Sequence, residues 1–113
     1  MSKIKANHSN KNSIDLHKAR NESIKAQYIL ATLYYKEIEK NLEMAFYWFQ
    51  KAAENDYKLA QNMLAILYEN GEGTEKNLVR AFYWYQKAAE NGYEIAMYNL
   101  ASCYQYGKGT KKI

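Results

Sequence analysis

The sequence predicts an all-α protein, a solenoid of stacked antiparallel helix pairs with a 36-residue repeat. First, residues 45–55 and 81–91 agree at ten of eleven positions and lie 36 residues apart. Second, the chain contains no proline and only five glycines, which favours long helices over a turn-rich β structure. Third, its apolar residues recur at steps of three and four, the spacing of one helix face. A single helix pair cannot bury such stripes alone, whereas stacked pairs bury them against each other.

The first helix of each unit is predicted near residues 24–37, 58–69 and 94–106. These segments share an alanine- and leucine-rich pattern that runs from Ala26, Ala60 and Ala96. In the middle copy the apolar stripe consists of Ala60, Met63, Leu64 and Leu67. Gly71 and Gly107 follow the last two segments, where a helix end commonly needs a residue with a left-handed backbone.

The second helix of each unit is predicted near residues 41–54 and 77–90. In the later copy Leu78, Ala81, Trp84, Tyr85, Ala88 and Ala89 form the apolar stripe, so we expect the tryptophans to pack in the core. Asn41 and Asn77 occupy equivalent N-cap positions. Tyr47 and Tyr83 point off the stripe, and we favour packing between successive outer helices over an exposed contact role. A weaker match between 16–19 and 49–52 predicts a partial helix near 13–21.

Charge divides the chain into two predicted parts. Residues 1–20 carry five basic side chains against Asp15, whereas residues 21–113 carry eleven basic and eleven acidic ones. We therefore expect a disordered basic tail over 1–12 and a helical repeat domain over 13–113, with about two and a half repeats and the last one incomplete. The tail is interpreted as solvated; contact with nucleic acid or an anionic membrane is the alternative.

The two motifs resemble the Sel-one-like repeats, a branch of the tetratricopeptide-type helical solenoids. Ala45, Trp48 and Lys51–Glu54 match one copy, and Ala81, Trp84 and Lys87–Glu90 match the next. The glycine pairs 71/73 and 107/109 match the family's turn. The resemblance implies a right-handed α-solenoid and a role as adaptor or scaffold between proteins.

Three departures from the family pattern accompany this resemblance. Alanine replaces the usual glycine at Ala31, Ala65 and Ala101, and we expect helices to approach closely there. The first turn lacks both glycines. The chain has a single cysteine, so it lacks the cysteine pairs of some secreted relatives.

No residue set indicates catalysis, a cofactor or a metal. The glycine turns lack the spacing and the preceding strand of a phosphate loop. His8 and His17 are the only histidines, too few for a metal site. Cys103 lacks an activating histidine on a repeat, so it is not predicted to be a nucleophile. Glu54 and Glu90 occupy equivalent positions on successive units, which does not suit an acid and base facing each other in one cleft. The aromatic residues fit a core better than a base-stacking platform for nucleic acid. We therefore predict a protein that is not an enzyme and has no specific nucleic-acid site or membrane span, located in the cytoplasm or nucleus.

Protein partners are expected on the concave surface, which the first helices line in solenoids of this kind. Positions opposite their buried stripe form three predicted rows of partner-binding residues, polar and aromatic in character. The rows are Tyr28, Asn62 and Tyr98; Thr32, Ile66 and Ser102; and Tyr35, Glu69 and Gln105.

The carboxyl end carries a separate prediction. No second-type helix follows residues 94–106 in this sequence, so Ala96, Leu100, Cys103 and Tyr104 are expected to lack part of their packing. Three interpretations stay open: self-association through this end, a partner bound there, or a truncated product. An alternative function follows from the last of these, namely a fragment of a larger protein whose repeats regulate an attached catalytic domain, for example a signalling domain.

Overall fold

The structure is a computed structural model that describes residues 21–36 and 41–113. Every regular element in these residues is an α-helix. The described part of α1 covers 21–36. It is followed by α2 (Leu42–Glu54), α3 (Lys58–Asn70), α4 (Leu78–Glu90) and α5 (Glu94–Tyr106). The predicted all-α repeat solenoid is confirmed, and the predicted bounds of α2–α5 agree within one residue. The predicted tail, 1–12, and the partial helix up to residue 20 lie outside the described residues.

Side-chain caps begin the second-type helices, α2 and α4. The backbone N–H of Met44 donates to Oδ1 of Asn41 at 3.1 Å, and that of Arg80 donates to Oδ1 of Asn77 at 3.0 Å. Both caps were predicted, because an extended asparagine satisfies amides that the first helical turn leaves unpaired.

Glycines end the first-type helices α3 and α5, as predicted. Gly71 and Gly107 adopt φ of 70° and 68° as C-caps, a conformation that glycine reaches without steric cost. The turns between α2 and α3 and between α4 and α5 are short, so consecutive helices run antiparallel and pack along their lengths.

The core lies between first-type and second-type helices. Phe49, Leu64 and Leu67 are its largest fully buried apolar side chains, and alanines fill the sites of closest approach. Trp48 and Trp84 pack against this core but are only partly buried. Their expected central position is therefore held instead by Phe49 and Tyr85, the residues that follow them.

Tyr47 and Tyr83 do not pack between successive outer helices, as was predicted for them. Their side chains are 47% and 50% exposed, and each ring packs edge-on against the tryptophan next to it in sequence. They therefore lie on the outer surface and are not buried between successive outer helices.

The loss of packing expected on α5 is found at only some of its positions. Ala96 and Cys103 are 0% and 2% exposed, so the expected loss is absent there. Leu100 and Tyr104 are only partly buried, as predicted.

Candidate functional site

The middle first-type helix, α3, presents three distinct sides. Ala60 and Leu67 are fully buried on the side that we call the N-side. Gln61, Asn62 and Ala65 are buried on another side, the C-side. A third set is partly or fully exposed and spans about 60° of the helix surface at 100° per residue. We call it the open face; in α3 it consists of Leu59, Met63, Ile66 and Asn70.

The C-side of α3 faces α4, the second helix of its own unit, and also contacts the next unit. Asn99 Nδ2 on α5 donates to Asn62 Oδ1 at 3.1 Å, and Asn91 Nδ2 donates to Gln61 Oε1 at 2.9 Å. Asn62 is only 5% exposed. The prediction that it lies on an accessible binding surface is therefore wrong: its amide links two repeats.

Tyr28 and Tyr35 lie on the corresponding side of α1. The Tyr28 ring lies 5.8 Å from that of Phe49 and 5.2 Å from that of Tyr57, between ring centroids. Tyr35 Oη donates to the carboxylate of Glu72, 3.0 Å from the nearer oxygen. Both hydroxyls have raised pKa values, for which burial is the main cause.

Glu69 is held within the molecule by two donors. Tyr85 Oη donates to its Oε1 at 2.7 Å, and Lys108 Nζ donates to its Oε2 at 2.9 Å. Burial alone would raise the carboxyl pKa, but these two hydrogen bonds and the positive charge of Lys108 outweigh it and lower the pKa of Glu69. The carboxylate therefore serves as an anchor between α3, α4 and the second glycine turn.

Tyr98 and Gln105, on α5, are exposed, Tyr98 by 77%. They occupy the positions of Asn62 and Glu69, but no unit follows α5 in the described residues. On α1 and α3, the members of two of the three predicted rows thus belong to contacts between helices rather than to a free concave surface, whereas Tyr98 and Gln105 on α5 are accessible. Sequence reasoning treated each first-type helix as having one buried stripe, whereas a helix inside a solenoid is covered on both its N-side and its C-side.

The remaining predicted row, Thr32, Ile66 and Ser102, lies on the open face. All three side chains are partly buried. Thr32 Oγ1 donates to the carbonyl oxygen of Tyr28 at 2.9 Å, so its hydroxyl is partly occupied within α1.

The open face is larger than that row, because equivalent positions of the three repeats lie on the same side of each first-type helix. Ile29, Leu59 and Ile95 were missed, although their apolar character off the buried stripe was a usable signal. Met63 was predicted to lie on the buried stripe but is partly exposed on the open face. Ile29 and Ile95 are 48% and 56% exposed. The complete open face consists of Lys25, Ile29, Thr32 and Lys36 on α1; Leu59, Met63, Ile66 and Asn70 on α3; and Ile95, Asn99, Ser102 and Tyr106 on α5.

The chemistry of this face suits binding rather than reaction. Its twelve residues include two lysines and no acid, around an apolar centre. Among residues 21–36 and 41–113 no cluster of histidine, cysteine, aspartate or glutamate could hold a metal ion. Cys103 is buried, and burial raises the pKa of its thiol, which disfavours the reactive thiolate. None of the described helices is long and apolar enough to cross a membrane.

Comparisons with known proteins agree with this architecture. The model of the Sel1 repeat family matches residues 24–57, 58–93 and 95–112. A Sel1 repeat protein from Oxalobacter formigenes is 32% identical, with a TM-score of 0.73 over 91% of this chain and 80% of its own. A protective antigen of uropathogenic Escherichia coli, c5321, which displays an SLR fold, is 39% identical with a TM-score of 0.75. That match covers 86% of this chain, which spans only 22% of the antigen. Curated proteins give no match.

Proposed function

This chain belongs to the Sel1 repeat family, and from that premise we propose that it is a non-catalytic interaction module that binds a protein segment on the open face of its first-type helices. The observation that carries the proposal is the apolar centre of the open face, where Ile29 and Ile95 are exposed and Met63 and Ile66 are partly exposed between them. Apolar side chains left accessible on such a surface contribute to association when a partner covers them.

Two lysines of the open face favour a partner that carries negative charge. Lys25 and Lys36 are exposed on the open face of α1, and no acidic residue of that face balances them. A segment with two or three apolar anchors and an acidic residue beside them would fill the apolar centre and meet the ammonium groups. Such a combination supplies affinity from apolar burial and orientation from charge.

Selection from a random peptide library displayed on phage tests the proposal. We expect enriched sequences to combine apolar and acidic residues and to bind the intact chain with micromolar affinity, as is ordinary for a modest interface. The double variant Ile66→Ser with Ile95→Ser should weaken that binding at least ~10-fold. Lys25→Gln with Lys36→Gln should weaken it more at low salt than at high salt.

Val79→Ser is the matched control. Val79 is 66% exposed and lies on α4, away from the open face, so its truncation should leave peptide affinity unchanged. Circular dichroism verifies that all variants keep their helicity. The assignment of this surface would be overturned if the control and the open-face variants lost the same peptide affinity. It would also be overturned if none of the substitutions changed that affinity.

A further inference from the structure

A cavity of about 590 Å³ lies on the outer surface at the start of α4, and none of its residues belongs to the open face. Its lining combines two polar residues, Asn77 and Arg80, with three apolar or aromatic ones, Val79, Tyr83 and Trp84. Val79 and Tyr83 are 66% and 50% exposed, so the cavity opens to solvent. Its volume is that of an ordinary ligand pocket.

The same part of α2 shows that this surface stays open when a further unit follows. The positions equivalent to 77, 79 and 83 are Asn41, Glu43 and Tyr47 on α2, and all three are exposed. Helices α4 and α5 follow α2 in the described residues and leave these side chains uncovered. The accessibility of the cavity on α4 therefore does not depend on which residues follow α5.

Arg80 is held in place by the neighbouring helix. Its guanidinium carbon lies 5.8 Å from the centroid of the Tyr68 ring, and Tyr68 is only 7% exposed on α3. A guanidinium over an aromatic face keeps the N–H donors at its edge free for a planar anion. Arg80 forms no salt bridge with an acidic residue in the described part of the chain. A positioned cation without an acidic partner is suited to an anionic ligand.

We propose that this cavity binds the free carboxyl terminus of a partner polypeptide, with Arg80 paired to the terminal carboxylate and the last side chain against Val79 and Tyr83. Capture of a terminal carboxylate by hydrogen-bond donors is a recurring mode of peptide recognition. The site is separate from the open face, and the proposal does not rest on the binding proposed there.

The charge of the cavity matches a single carboxylate. Arg80 is the one charged residue that lines it, and no acidic residue does. A carboxylate carries one negative charge, which one guanidinium balances through two parallel hydrogen bonds. A phosphate group, with a charge of about −1.5 to −2 at pH 7, would keep a large part of its charge unbalanced there.

The spacing of the lining residues favours a chain end over an internal acidic residue. Residues three and four apart on a helix have β-carbons about 5–6 Å apart, so Arg80 lies next to Tyr83 and Trp84. The α-carboxylate and the side chain of a terminal residue leave the same carbon atom, so one residue reaches both. In an internal aspartate or glutamate the carboxylate is the end of the side chain itself, and the aromatic wall would need a second residue.

Helix α2 lacks the residues that form this site. Glu43 and Met44 stand where α4 has Val79 and Arg80. The equivalent surface of the earlier unit thus carries an acid and no cation. Arg80→Met therefore places on α4 the residue that the chain itself carries at the equivalent position of α2.

Fluorescence anisotropy with the intact chain and short labelled peptides provides the test. The probes are glycine–serine peptides that end in leucine or phenylalanine, labelled at the amino end and made with either a free carboxylate or a carboxamide. The free acids should bind at least ~10-fold more tightly than the amides, because the charge-assisted hydrogen bonds to Arg80 form only with the carboxylate. Peptides that end in glycine should bind more weakly, because they bring no apolar side chain.

Arg80→Met should abolish the preference for the free acid and leave the affinity for the amide unchanged. Arg80 is exposed, so the variant should fold, and circular dichroism verifies its helicity. Lys87→Met is the matched control, because it removes one positive charge from the same helix outside the cavity. This control should keep the preference for the free acid.

The open face is distinguished from the cavity by its own variant. Ile66→Ser with Ile95→Ser should leave the affinity for the free-acid peptides unchanged. Peptides displayed on phage through their carboxyl ends carry no free carboxylate, so Val79→Ser remains a control for the open face.

Equal affinities of the wild type for free acids and amides would overturn the proposal, whatever the variants do. A preference that Lys87→Met also abolishes would contradict it in favour of nonspecific attraction to positive charge. A preference lost in the Ile66 and Ile95 variant would place the binding on the open face instead. Tighter binding of an amidated peptide with an internal phosphoserine would assign the cavity to phosphate and rule out the carboxyl-terminal site.

Discussion

Gly73 packs so closely on the start of α2 that a β-carbon on it would overlap the carbonyl group of Leu42, at 2.7 Å from the carbonyl carbon. Gly109 stands in the same relation to Leu78, 36 residues further on. Each glycine turn therefore touches the second-type helix of the unit before it. The first glycine of the pair ends a helix, whereas the second permits contact between units.

Gly73→Ala should destabilise the protein by roughly 2–4 kcal/mol. The left-handed backbone, with φ of 73°, costs about 1 kcal/mol with alanine, and overlap with the Leu42 carbonyl adds the cost of overpacking. Gly92→Ala is the matched control, because φ is 86° there but nothing lies within 4 Å of the added carbon. Urea unfolding measures the free energy of unfolding of both variants. Equal losses of stability would show that the contact with Leu42 adds no cost to the substitution.

Ala65→Arg should destabilise by roughly 3 kcal/mol or more, because Ala65 is fully buried and the substitution adds volume and an unpaired charge. Ala101→Arg should change the free energy of unfolding by less than about 0.5 kcal/mol. Ala101 is the repeat equivalent of Ala65 but is exposed, which corrects the expectation of close packing there. Thermal melts compare the two variants, and similar midpoints would contradict the difference in burial between Ala65 and Ala101.

Asn91→Ala should cost about 1–3 kcal/mol, because it leaves the buried Gln61 Oε1 without its donor. Asn55 is its repeat equivalent, but its Nδ2 bonds to the carbonyl oxygen of Lys51 on an exposed surface. Asn55→Ala should therefore cost less than about 1 kcal/mol. Chemical denaturation measures the free energy of unfolding of both variants. The buried Oε1 of Gln27 has no hydrogen-bond partner among the described residues. An equal loss of stability for Asn55→Ala would indicate that the Asn55 amide bonds to this oxygen instead.

The charge of Glu69 should make stability depend on pH. Its pKa in the folded protein is lowered from the ordinary value of 4.5, so its stabilising contribution is complete above that value and disappears as the pH falls through the lowered pKa. Glu69→Gln keeps an acceptor for Tyr85 but removes the charge opposite Lys108. Because the Lys108 side chain is 36% exposed, the difference should be at most about 1 kcal/mol at pH 7.

Unfolding experiments on both proteins between pH 7 and pH 3 check this dependence. The difference between Glu69 and its glutamine variant should shrink below about pH 4.5. It should also shrink in high salt, since part of it is Coulombic. A difference that is constant with pH would assign the effect to packing alone.

The sequence alone determined the architecture. The 36-residue period, the asparagine caps at Asn41 and Asn77 and the glycines at Gly71 and Gly107 are local signals, and the helices begin and end where those signals place them. Helix bounds depend on nearby hydrogen bonds and backbone conformation, which neighbouring residues dictate. The Sel-one-like resemblance rested on the same repeated positions and is confirmed.

Only the tertiary structure decided which residues a partner can reach. Asn62 and Tyr98 occupy equivalent positions with equivalent local patterns, yet one is 5% exposed and the other 77%. Likewise Ala65 is buried and Ala101 exposed, and Glu69 is bound by Tyr85 and Lys108 whereas Gln105 is exposed. The period of a repeat fixes the side of the helix on which a residue lies, but burial depends on whether another helix covers that side, and this is a property of the stacked helices rather than of one helix.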